Sequence, residues 1–294
     1  MGSKQQTIII TGVSTGIGAA SARILADAGY HIIGTVRQIK DADPLVDDLD
    51  RNFTPVLLDV TKPEQVADAF KVIEQLLTRT PPLIALVNNA GIALGGPLLY
   101  LETVILEKQL QVNLLGVHNV TRVVVPLLKP TNPTQSAPCI INISSVAGRR
   151  VLPFMGPYSA SKHALEAYSD ALRLELYPHG IKVVIVEPGP VLSAIWNKVP
   201  SAEETPFPGT EYEPALIRFN ATLKRKAASA LPAESIGKLI LKILESSNPR
   251  NRYVITQQRW LGFEIFRRLP SRFSDWLLRK YFGLNSSFNK TSKE

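Results

Sequence analysis

Tyr158 and Lys162, in the run Gly156-Pro157-Tyr158-Ser159-Ala160-Ser161-Lys162, stand four residues apart, a spacing that stacks both side chains on one face of a helix. A phenol beside an ammonium can give and take a proton. Free tyrosine ionises only near pH ~10, and a close lysine cation favours the phenolate and draws that value toward the working range. Alone, the pair is equally a solvated surface contact.

Three other stretches supply the context. Thr7-Ile8-Ile9-Ile10 leads into Thr11-Gly12-Val13-Ser14-Thr15-Gly16-Ile17-Gly18 and then a helical pattern. A strand, a glycine turn and a helix start form a phosphate cradle. Glycines let the backbone approach a pyrophosphate, and the free amides and positive end of the helix favour its charge. The spacing G-x-x-x-G-x-G differs from the standard fingerprint but shares its mechanics. The second stretch is Leu86-Val87-Asn88-Asn89-Ala90-Gly91, and the third is Ile140-Ile141-Asn142-Ile143-Ser144-Ser145. Both read as buried strands whose polar ends face the carboxyl edge of a parallel sheet, where ligands of such folds bind.

In this order the motifs resemble the short-chain dehydrogenase/reductase family, over residues 7–256. The resemblance implies a catalytic tetrad of Asn113, Ser145, Tyr158 and Lys162, with Ser145 preferred to Ser144 because it stands thirteen residues before the tyrosine. It implies a nicotinamide site built from Gly12, Ser14, Thr15, Gly16, Ile17, Gly18, Arg37, Asp59, Val60, Asn89, Ala90, Gly91, Pro188, Gly189, Val191 and Ser193, with Tyr158 and Lys162 touching the same cofactor. Ser193 replaces the family's usual threonine. In the family, the lysine lowers the tyrosine pKa and holds the nicotinamide ribose, the serine steadies the substrate oxygen, and the asparagine anchors a water. Glu187-Pro188-Gly189-Pro190 and the tail look most like the hydroxysteroid, retinol and aldehyde reductase branch.

Cofactor choice is written at the end of the second strand, where a carboxylate would bind the ribose hydroxyls of NAD and repel a 2′-phosphate. Val36 stands there, followed by Arg37, whose guanidinium can fork onto a phosphate. NADP(H) is therefore expected, although Thr15 sits where some relatives carry a second basic residue. Leu94, Val151, Leu152, Phe154, Met155, Val191, Leu192, Ile195 and Trp196 suggest a lipophilic aldehyde, ketone or alcohol as substrate. Arg149 and Arg150 read as a solvated loop in preference to a site for an acidic substrate.

Strand patterns at 7–11, 31–36, 54–58, 84–88, 139–143, 182–186 and 253–256 alternate with helical ones, the longest at 107–128 and 157–177. This predicts a single-domain α/β Rossmann fold, doubly wound, with a mainly parallel seven-stranded sheet and helices on both faces. Residues 191–231 are the least regular, and the resemblance makes them the substrate lid. With 294 residues and 45% hydrophobic content the chain can bury one large core. No signal segment or bilayer-spanning run is evident, and one cysteine, Cys139, excludes an internal disulfide. A cytoplasmic protein without a metal site is expected.

Residues 257–294 form a basic extension. From Arg250 onward there are 10 Lys and Arg against 3 acids, so this stretch carries +7 of the net +8. Trp260, Phe263 and Phe266, then Phe273, Trp276, Leu277, Tyr281 and Leu284, fall near helical spacing among these cations. The pattern fits a membrane-surface anchor, or a helix packed on its own domain or a second subunit. No nucleic-acid module is present. A homo-oligomer, dimer or tetramer, is the expected assembly. The alternative to an enzyme is a regulatory or interaction protein that binds NADP(H) without turnover; an intact tetrad favours the enzyme.

Overall fold

The computed structural model describes residues 6–128, 137–192, 207–257 and 263–284. Its sheet contains β1 (Thr7–Thr11), β2 (His31–Val36), β3 (Phe53–Leu57), β4 (Leu83–Asn88), β5 (Cys139–Ile143), β6 (Lys182–Pro188) and β7 (Arg252–Ile255). They lie in the order β3-β2-β1-β4-β5-β6-β7, and every pairing is parallel. The sheet is thus wholly rather than mainly parallel. Between the strands run α1 (Gly16–Asp27), α2 (Asp43–Leu49), α3 (Pro63–Leu77), α4 (Thr103–Leu110), α5 (Gly116–Val124), α6 (Gly156–Leu176), α7 (Glu213–Ala228) and α8 (Ala233–Glu245). Two further helices, α9 (Ile265–Arg268) and α10 (Ser271–Phe282), follow β7.

Strand alternation feeds two cores. Ile8 and Ile10 pack on one face with Leu25 of α1 and Ile236 and Ile240 of α8. Ile9 packs on the other with Val66 and Ile73 of α3 and Val120 and Val124 of α5. Each fully buried side chain of this kind contributes roughly 1.5–3 kcal/mol. The chain runs outward from β1 to β3 and then resumes beside β1 at β4. That reversal opens a crevice at the strand ends, since the crossovers on either side depart in opposite directions.

A buried polar chain fixes the helices against this sheet. Asn88 Nδ2 donates to Thr121 Oγ1 at 3.0 Å and to Asn142 Oδ1 at 2.9 Å, while Asn142 Nδ2 donates to Ser169 Oγ at 2.8 Å. The ends of β4 and β5 are thereby tied to α5 and α6.

Two expectations are corrected. The helix expected at 107–128 begins at Thr103 and is interrupted by a π turn at Gln111–Leu115. The region read as irregular contains α7, whose Ala215, Leu216, Phe219 and Leu223 recur at helical spacing; proline-rich flanks masked that period. These residues pack with Phe154 and with Phe282 of α10 in a third core. The inner side of the basic extension is therefore part of the fold. Among the described residues no helix is long and apolar enough to cross a membrane. Ser193, Ile195, Trp196, Arg259 and Trp260, and with them part of the expected lid, lie outside the described residues.

Candidate active site

The glycine turn leaves β1 with Gly12 at φ +71° and Gly16 at φ +59°, conformations that side chains rarely adopt. A Cβ on Gly18 would fall 2.2 Å from the Gly12 carbonyl oxygen and 2.6 Å from Asn89 Nδ2. Only glycine fits there. Thr11 Oγ1 accepts the amides of Asn89 and Ala90 at 2.9 and 3.0 Å, and Asn89 Nδ2 donates to the carbonyls of Thr11 and Gly12. The ends of β1 and β4 are locked together, while the first amides of α1 have no partner among the described residues and its cap, Thr15, makes no side-chain hydrogen bond. This cradle fits a dinucleotide pyrophosphate.

A continuous cleft of about 1410 Å³ runs from the cradle to α7 and α10. Gly12, Ser14, Thr15, Gly16, Ile17, Arg37, Asp59, Val60, Asn89, Ala90, Gly91, Pro188, Gly189 and Val191 line it, as do Ser145, Tyr158 and Lys162. Gly18 lies beneath the cradle. Val36 is buried at the end of β2 and Arg37 is exposed beside it. Asp59 takes the amide and hydroxyl of Thr61 on Oδ1. Burial raises its carboxyl, but the Thr61 hydrogen bonds and then the Arg37 and Lys62 cations outweigh that and hold it below the usual range. Leu94, Leu152, Phe154 and Met155 also line the cleft, whereas Val151 and Leu192 point to solvent.

Tyr158 stands partly buried in the first turn of α6, one turn before the buried Lys162. Lys162 Nζ donates to the Ile143 carbonyl at 2.8 Å and lies 5.9 Å from the Tyr158 ring centroid. Burial lowers the ammonium to about 8, opposed by the Glu166 carboxylate. Burial also raises the Tyr158 phenol, and the opposing pull comes from a hydrogen bond with Ser145. The Lys162 ammonium is directed at the end of β5, and burial outweighs the lowering of the phenol expected from the sequence. Ser145 is held by the Ala147 amide, which donates to its Oγ at 3.1 Å.

Asn113 sits in the π turn and is fully buried. Its Oδ1 accepts the Ile92 amide, and its Nδ2 donates to Ile92 O and Ser161 Oγ, at 2.9 to 3.0 Å. Gln109 works beside it: Nε2 donates to Ile92 O and Oε1 accepts the Leu94 amide. Gln109 falls within the helix expected at 107–128, but no local signal marked its role.

The chain matches the family model for short chain dehydrogenase over residues 6–204. It is a short-chain dehydrogenase. It is 31% identical over 272 residues to an NADPH-dependent 3-dehydrocapnine reductase of Ornithobacterium rhinotracheale, covering 92% of this chain and 95% of the relative. It is 32% identical to a 3-ketodihydrosphingosine reductase of Bacteroides thetaiotaomicron, covering 95% and 98%. Among solved structures, a short-chain dehydrogenase from Streptomyces avermitilis aligns with a TM-score of 0.72 at 25% identity, covering 100% and 99%. A Burkholderia phymatum family member in complex with NAD aligns at 0.71 and 25%, covering 85% and 88%. The fold of the dehydrogenase is one that binds a nicotinamide cofactor.

Arg149 and Arg150, expected in a solvated loop, are both engaged. Arg149 Nη1 lies 3.5 Å from Glu187 Oε1, and Arg150 enters the cleft with its guanidinium 3.6 Å over the Phe266 ring. Glu187 has no exposed surface and shares Arg252 with Glu166, at 3.4 and 3.1 Å. Its second oxygen is buried without a hydrogen-bond partner among the described residues. Burial, reinforced by Glu166, raises Glu187 to about 7, against Arg149 and Arg252. Native dehydrogenase keeps this proton over a pH range in which the unfolded chain, near 4.5, has lost it. Stability therefore falls as pH rises between those values. We expect the urea unfolding free energy to decline from about pH 5 to about pH 8 more steeply in wild type than in Glu187→Gln. Equal pH slopes in the two proteins would contradict this.

Proposed function

We propose that this dehydrogenase transfers hydride between NADP(H) and a lipophilic aldehyde, ketone or alcohol. The observation that carries the reading is the Ser145–Tyr158 pair, set between the pyrophosphate cradle and an apolar end of one cleft. A binding protein without turnover would have no need of a proton donor there. The nicotinamide, when bound, supplies or takes the hydride. Tyr158 gives its proton to the carbonyl oxygen during reduction, and takes it back during oxidation. The Ser145 hydroxyl steadies the oxygen as charge develops. Lys162, charged below about pH 8, supplies a positive field and a donor toward the cofactor ribose.

For the cofactor, the exposed Arg37 beside Val36 favours a 2′-phosphate and offers no carboxylate to repel it. The names of two relatives, an NADPH-dependent reductase and a 3-ketodihydrosphingosine reductase, agree with reduction of a carbonyl. NADPH oxidation across a panel of lipophilic carbonyls tests the reaction itself. A charge-assisted phosphate contact contributes about 1.5–3 kcal/mol, or roughly tenfold to a hundredfold in affinity. Arg37→Ala should weaken NADPH by that factor and leave NADH little changed in a fluorescence titration. Equal losses for both cofactors would remove Arg37 from the 2′-phosphate.

The outer side of α10 supports a second proposal, contact with an anionic membrane surface. Phe273 and Trp276 stack at 5.8 Å and are each 48% exposed, with Arg272, Arg279 and Lys280 exposed around them. Aromatic rings among cations suit the headgroup region. The intact protein should sediment with anionic vesicles at low salt and not with neutral ones. Replacing Phe273 and Trp276 by serine should lower that partitioning at least about tenfold. Wild-type protein remaining in the supernatant would refute the contact.

A further inference from the structure

Among the described residues, the end of the cleft at α7 and α10 carries positive charge only. Arg225 and Lys226 of α7 line it with Thr222, Tyr281 and Arg150 from the turn before α6, and the one acidic residue among the described residues along the cleft is Asp59, beside Arg37 at the β2 and β3 ends. Arg225 Nη2 donates to Tyr281 OH at 3.0 Å and to Thr222 Oγ1 at 3.3 Å. These bonds hold the guanidinium in place and use one of its three nitrogens, leaving Nη1 and Nε without partners among the described residues. Lys226 is partly buried, and its Nζ makes no hydrogen bond among them either. Burial lowers its ammonium, and the Arg150 cation lowers it further, against a smaller raising influence of Tyr281. Lys226 is thus a cation held in a partly dry wall with no hydrogen bond among the described residues, an arrangement that an anion would stabilise.

Apolar residues lie along the same cleft. Leu152, Phe154, Met155, Leu216, Phe219 and Leu223 line it with Tyr158 and the cationic wall. We propose that Arg150, Arg225 and Lys226, with the hydroxyls of Thr222 and Tyr281, bind an acidic group of the substrate. The substrate is then an amphiphile: an oxyanion headgroup, an apolar body, and the carbonyl or alcohol carbon presented to Tyr158. This rests on the hydride-transfer reading for the identity of the reacting carbon, but the anion site itself is a claim about binding. It also separates two uses of positive charge in one cleft, with Arg37 serving the cofactor and the distant wall serving the substrate.

The test is a calorimetric titration of the full chain, with NADPH present, using decan-1-ol, decanoate, decyl sulfate and decyl phosphate. At least one anionic probe should bind wild type about tenfold or more tightly than the alcohol, and the tightest names the headgroup. Arg225→Gln/Lys226→Gln should bring that ratio close to one. Raising the salt should shrink the ratio in wild type, so the wild-type comparison decides the matter even where the double variant fails to fold. Equal affinity for all four probes in wild type, or a ratio that survives in a folded double variant, would overturn the proposal. NADPH oxidation is read separately. A protein that selects the anionic probe yet reduces no carbonyl would keep the anion site and overturn the redox reading.

Discussion

The buried polar chain from Thr121 through Asn88 and Asn142 to Ser169 is the constraint on which the active site depends. Apolar contacts drive the helices onto the sheet but tolerate small slides, because burial energy is non-directional. Hydrogen bonds between buried amides and hydroxyls are directional, and each group left unpaired costs about 1–3 kcal/mol, so this chain resists such slides although Asn88 Oδ1 has no partner among the described residues. The chain therefore sets α5 and α6 in one register over β4 and β5. That register delivers Asn113 to Ile92, and Lys162 to the Ile143 carbonyl.

Around this frame, charge is handled by three different means. The pyrophosphate end offers backbone, left-handed glycines and the amides at the start of α1, braced by the side-chain clasp of Thr11 and Asn89. The chemical centre uses a buried lysine whose burial makes it easy to deprotonate, beside a phenol that burial makes hard to deprotonate. Ser145 offsets the latter. Behind them, Glu166 and Glu187 compete for Arg252, so a carboxyl with a raised pKa sits immediately before the Pro188 and Gly189 segment that lines the cleft.

Much of this was legible in the sequence because its signals are local. A strand, three glycines and a helix start lie within about twenty residues, and the Tyr158 and Lys162 spacing states its own geometry. The five-residue apolar runs gave β1 and β5 to the residue. What could not be read depends on distant partners. Gln109 matters because Ile92 and Leu94 fold back onto it. Arg149 and Arg150 look alike in sequence, yet one meets Glu187, 38 residues on, and the other crosses to Phe266. The π turn around Asn113 follows a tertiary demand, and helical periodicity alone predicts an unbroken helix.

The central claim is that Tyr158 carries the proton in a hydride-transfer reaction. Tyr158→Phe keeps the ring and removes only the hydroxyl, so steady-state NADPH oxidation with a good carbonyl substrate is the most direct measurement. The account predicts a fall in kcat of about 10²–10⁴-fold, with NADPH affinity by fluorescence titration unchanged within about twofold. Wild-type turnover by Tyr158→Phe would contradict it and leave the proton to another group.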